Sequence, residues 1–232
     1  EYSADKHFSP KEINESNVDW MFFLILTGFI IFTLVNVFNR RRLNAVVRAF
    51  FAKRLVIQLS REGNIISEGM SLSMFLIFIS SYSLFIYLII GRYGNTDNID
   101  YWGFIFYAEV FVALLLFLFF KFLIIKITEI IFKTRELSSA YLINYYIFIF
   151  FEGIIVLPLV TLIIYLPDDY SKIILVGSII LMSIFYLFRL YRGVFIGLSS
   201  KKYNLFQLFL YFCTHEIIPV LIIAKICKDY LV

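Results

Sequence analysis

Long apolar runs alternate with short polar stretches along almost the whole chain. Six runs are long enough to cross a bilayer as helices, which takes about 20 mostly apolar residues. They cover 20–38, 71–91, 103–126, 142–166, 173–191 and 205–226. Residues 1–19 are polar, have no hydrophobic period and read as a flexible extracytoplasmic tail. Residues 39–63 follow another rhythm: Leu43, Val46, Val47, Phe50 and Phe51 fall on one stripe of a helix, with Arg41, Asn44 and Arg48 off it. This segment predicts a basic amphipathic helix lying in the membrane surface. The pattern therefore predicts an all-α membrane protein. It would be a bundle of about six transmembrane helices, with an interfacial helix after the first, in one polytopic domain over residues 20–232.

Composition agrees. Of 232 residues, 61 % are hydrophobic and 16 % charged, against about 25 % charged in a soluble domain. Twenty-eight Phe and sixteen Tyr are more than one soluble core of this size would hide. The two cysteines, Cys213 and Cys227, are too few for a disulfide framework and lack zinc-site spacing. The basic run after the first span lacks any nucleic-acid motif, so no nucleic acid is expected as a partner.

Lys and Arg set the orientation. Fifteen of the 21 fall in residues 39–70, 121–141 and 189–204, which places those segments in the cytoplasm. Both termini then lie on the opposite, extracytoplasmic side, as an even number of spans requires. The chain does not begin with Met, which a removed signal peptide or a trimmed start would each explain.

The candidate chemistry is polar groups inside the spans, where each ionisable group costs about 2.5–3.5 kcal/mol and faces a protein interior. At about 1.5 Å per residue, Glu152 lies roughly 15 Å and Glu216 roughly 16 Å from the cytoplasmic starts of their spans, with Ser80 and Ser81 at similar depth. With His215 they form a candidate intramembrane polar cluster. Two carboxyls close together in such a layer would leave at least one protonated near neutral pH. Pro158 and Pro219 each remove a helical amide, free the carbonyl four residues earlier and tend to kink their helices. Arg189, counted roughly 3 Å inside its span, is expected to snorkel to the headgroups. Arg41, Arg48 and Arg192 are the other expected headgroup or partner contacts.

A structural role sets the baseline for these groups, since an interhelical hydrogen bond in a membrane contributes about 0.6–1.7 kcal/mol. A proton or ion relay comes second. His215 and Glu216 point about 100° apart on a helix, so they make no two-ligand metal face, and Cys213 alone adds none. No P-loop, dinucleotide fingerprint, zinc-protease or nucleophile-elbow motif occurs. No catalytic residue, metal or cofactor is expected.

Two regions carry a resemblance: Asp19 through RAFFAKRLVIQLSREG, and FRLYRGVFIGLSSKKYNLFQLFLYFCTHEIIPVLIIAKI at 188–226. Together they resemble an uncharacterised Bacteroidota family of polytopic inner-membrane proteins known as a domain of unknown function. That pattern has Leu where this chain has His215, which shifts weight to Glu216 and Pro219. The resemblance supplies no activity or catalytic residue. It implies a cell-envelope role such as secretion or gliding. The expected function is thus a non-enzymatic membrane subunit of an envelope complex, with the bilayer and other membrane subunits as partners. The alternative is a small proton-coupled transporter or ion conductor using Glu152 and Glu216. An enzyme acting on lipids through Arg189, Arg192, Lys201 and Lys202 is the third reading.

Overall fold

The computed structural model describes residues 15–51, 68–93, 103–132 and 135–198. They form six helices: α1 (Glu15–Phe38), α2 (Arg40–Phe51), α3 (Glu68–Tyr93), α4 (Phe104–Phe132), α5 (Arg135–Tyr165) and α6 (Asp168–Leu198). No strand occurs among the described residues. All except α2 are long and apolar enough to cross a membrane. The apolar run 205–226, with His215, Glu216 and Pro219, lies outside the described residues, as does most of the N-terminal tail.

Burial sorts the five long helices into two kinds. About half of the most apolar window is buried in α3 (50 %) and α5 (56 %), against 17–22 % in α1, α4 and α6. The α3–α5 pair is therefore the axis among the described residues, and α6 packs along α5 as closely. Gly153 makes the α3–α5 approach possible: a Cβ there would stand 3.0 Å from the Phe78 backbone. Small residues at such crossings let helices meet where lipid offers no hydrophobic drive to associate. The outer faces keep large apolar side chains exposed, among them Val112, Leu116 and Phe119 on α4 and Ile173, Ile180 and Leu187 on α6. Those faces suit acyl chains.

A single bend residue, Asn39, separates α1 from α2; its carbonyl accepts the amides of Arg42 and Leu43 at 3.0 and 2.9 Å. The amphipathic stripe of α2 is real, and of the two surfaces its width suits, lipid or protein, it takes protein. Val46 and Ala49 are buried in a core shared with α1, α3, α5 and α6, so the apolar face meets protein instead of lipid. A stripe encodes what a helix avoids, water, and not which apolar surface it finds.

α5 and α6 are joined through Leu166 and Pro167 alone. Asp168 and Asp169 occupy the first turn of α6, where negative charge suits the helix dipole. Most of the polar stretch between the expected spans 142–166 and 173–191 is thus helix. At its other end α6 runs to Leu198, well past the expected stop at Tyr191. α5 continues through Pro158, which is exposed.

The buried face of α6 includes Ser171, Leu175, Ser178, Met182, Arg189, Arg192 and Ile196. With half-buried Phe185 these steps alternate four and three, the seam of left-handed helix packing. The Ser171 hydroxyl donates to the Ile163 carbonyl at 2.8 Å. That bond sets the antiparallel register and brings Tyr145 opposite Arg189.

Candidate functional site

The seam of α6 carries two arginines into the protein. Arg192 is 1 % exposed and reaches α2: Nη1 donates to the Phe50 carbonyl at 2.6 Å and Nη2 to the Ala49 carbonyl at 2.5 Å. A planar guanidinium can serve two carbonyls at once. Its guanidinium carbon also lies 6.0 Å from the Phe148 ring. One side chain thus fastens the surface helix to a membrane span.

Arg189, 9 % exposed, lies over two rings, 4.8 Å from Tyr145 and 4.9 Å from Tyr186. Lys121 of α4, 6 % exposed, approaches the same Tyr145 ring at 4.5 Å. Such cation–ring contacts gain strength when water is excluded. Glu152 is the one carboxylate buried among the described residues. Its charge and that of Arg189 both act on the Tyr82 hydroxyl, so three helices supply one electrostatic cluster.

Arg189 and Arg192 therefore depart from the expected headgroup contacts. α6 extends nine residues beyond Arg189, about 13 Å, so this arginine is not at a helix end. Side chains lean toward the N-terminus of their own helix. In the antiparallel α5 and α6 this tilts Glu152 and Arg189 toward each other, which depth counted at Cα overlooks. Lys121, Tyr145 and Tyr82 escaped the sequence reading. Lys121 counts as an ordinary basic residue near a span end until Tyr145, on another helix, is placed beside it. The heptad spacing of Arg189 and Arg192 with Ser171, Leu175, Ser178 and Met182 was the available signal.

The other candidates scatter. Ser80 is half-buried and its hydroxyl donates to the Ile77 carbonyl at 3.2 Å. Ser81 is 2 % exposed, and its hydroxyl has no hydrogen-bond partner among the described residues. Arg41 and Arg48 are exposed on α2, on the side away from the core. His215, Glu216 and Pro219 cannot be placed against these groups, since they lie outside the described residues. Among the described residues no group of three His, Cys, Asp or Glu is arranged to hold a metal ion.

At the opposite end, Arg92 of α3 donates through Nη1 to the Ser171 hydroxyl at 2.9 Å, and its Nη2 lies 3.4 Å from Asp168 Oδ1. Trp20 of α1 packs against Tyr87 and Tyr107, with ring centroids 5.6 and 5.3 Å apart.

No curated protein and no solved structure matches the chain. A family model, described as a domain of unknown function, matches residues 21–227. That match takes in the α2 latch, the cation cluster and the run beyond α6, and this chain, with its five membrane-capable helices, belongs to that family, DUF4271.

Proposed function

We propose that the chain is a non-enzymatic structural subunit of a multi-protein complex in a bacterial inner membrane. One observation carries this reading. The polar side chains described inside the bundle tie helices together: Arg192 holds α2 to α6, Arg92 holds α3 to α6, and Lys121 and Arg189 clamp Tyr145 between α4 and α6. A body braced in this way suits a scaffold better than a carrier whose halves must rock. The exposed apolar faces of α4 and α6 and the exposed Arg41 and Arg48 of α2 offer surfaces for other membrane subunits and for lipid headgroups. The Bacteroidota resemblance extends the reading to the cell envelope, with secretion or gliding machinery as the setting and both termini periplasmic. Native mass spectrometry from mild detergent tests it. A stoichiometric assembly with other membrane proteins is the expected result; a monodisperse monomer contradicts the reading.

The buried Glu152, close enough for its charge to act on Tyr82, favours a second reading, a proton-coupled transporter or ion conductor. A carboxyl that can be neutral or charged inside a bundle is the usual element of a proton relay. Liposomes loaded with a pH dye separate the two. Proton flux that disappears in Glu152→Gln or Glu216→Gln would favour transport, and no flux from the native chain would exclude it.

A further inference from the structure

α4 and α6 keep most of their apolar length on the outside of the bundle, with 17 % of the most apolar window buried in each. Both outer faces carry a charged side chain toward the end that holds Trp20. On α4 it is Glu109, exposed between Ile105 and Val112, which share its side of the helix and are exposed as well. It lies five residues inside α4, about 8 Å. On α6 it is Lys172, exposed on the side of Val176 and Ile179. Asp168 and Asp169 stand about one turn further out, and Asp168 lies beside Arg92. Among the described residues neither Glu109 nor Lys172 makes a hydrogen bond or an ion pair. An ionisable group within a span ordinarily faces protein, and here the outward side carries it.

The two charges stand at similar depth. α3 and α5 run side by side in the same direction with Phe78 against Gly153, so Ile163 is level with Leu88. Ser171 donates to the Ile163 carbonyl, and Phe106 meets Tyr87 with ring centroids 5.9 Å apart. Counted from these contacts, Lys172 and Glu109 differ by about three residues, roughly 5 Å, which a lysine stem can cover. Copies inserted in one membrane share one orientation, so groups of like depth meet when the α4 face of one copy adjoins the α6 face of the next.

We infer that α4 docks against α6 of a second copy of this chain, with Glu109 paired to Lys172 across the contact. The apolar side chains of the two faces supply the packing, and the opposite charges fix which face meets which. A contact between two different faces is heterologous and closes as a ring. The inference goes beyond the subunit reading. A ring of this chain alone would support it and count against that reading, so the two fail separately.

Two differently tagged copies read the contact in native membranes, with Cys213 and Cys227 replaced by Ser. Glu109→Cys on one copy and Lys172→Cys on the other should be joined by a short bifunctional thiol reagent into a product carrying both tags. Phe22→Cys, exposed on α1, should not be joined to Lys172→Cys. Equal yields from the two pairs, or a product of Glu109→Cys with another protein, would overturn the inference. The charges are read separately, by counting the bleaching steps of a fluorescent tag in membrane nanodiscs. Glu109→Lys should reduce the share of multi-step particles several-fold, and adding Lys172→Glu should restore it. Single-step particles from the native chain, or a double variant no better than Glu109→Lys, would contradict the pairing.

Discussion

The two ends of the bundle hold their helices together in different ways. At the Trp20 end, aromatic rings from α1, α3 and α4 meet edge to face, and Arg92 joins Ser171 and Asp168 at a partly exposed contact. At the Arg192 end, cations are buried outright and serve backbone carbonyls and rings. Counted along α6, Asp168 and Arg189 are 21 residues apart, about 32 Å, close to the thickness of a hydrocarbon core. The comparison teaches that burial, more than the kind of side chain, decides how an arginine is used. Arg92 stays partly exposed, beside a more exposed Asp168, where an ion pair contributes little. Arg192 is enclosed, at 1 % exposure, so its loss removes two hydrogen bonds from the interior.

Mutations should separate the two ends in order of burial. Arg192→Ala removes two hydrogen bonds to carbonyls of α2 and opens a cavity, and should cost about 3 kcal/mol. Unfolding in detergent, followed by Trp fluorescence, should show the largest fall in Tm of this set. Gly153→Ala brings a Cβ within 3.0 Å of the Phe78 backbone, which cannot give way alone. It should cost about 1–3 kcal/mol by separating α3 from α5. Gly28→Ala is the matched control at the α1–α5 contact. The nearest atom there is Leu157 Cδ1, at 2.8 Å, the end of a flexible side chain. Its cost should stay below that of Gly153→Ala in the same assay. Arg92→Ala removes an ion pair whose members are 21 % and 54 % exposed, and should cost less than about 1 kcal/mol. If Arg92→Ala proved as damaging as Arg192→Ala, the contrast between the ends would collapse.

The helical class and the membrane setting were legible because long apolar runs leave no other solution in lipid. The stripe of Leu43, Val46 and Phe50 was equally plain, but its facing surface was not. Sequence periodicity reports the apolar side of α2 and is silent on whether α5 or lipid covers it. Arg189 and Arg192 misled because charges near the end of an apolar run resemble a stop signal. Their spacing from Ser171, Leu175, Ser178 and Met182 shows that they continue the packing seam. The cluster of Lys121, Tyr145 and Tyr82 was beyond reach, since each comes from a different helix and no local pattern records their meeting.

The claim that Arg192 pins the surface helix to α6 can be read directly as a distance. Spin labels at Asn44→Cys on α2 and Tyr191→Cys on α6, both exposed, in a chain with Cys213 and Cys227 replaced by Ser, report the α2–α6 separation by double electron–electron resonance. Arg192→Lys keeps the charge and the stem but loses the two-pronged donor. A narrow distribution that broadens in Arg192→Lys is the predicted result. An unchanged distribution would mean that α2 is held by its apolar face alone, and that the buried arginine is not the pin described here.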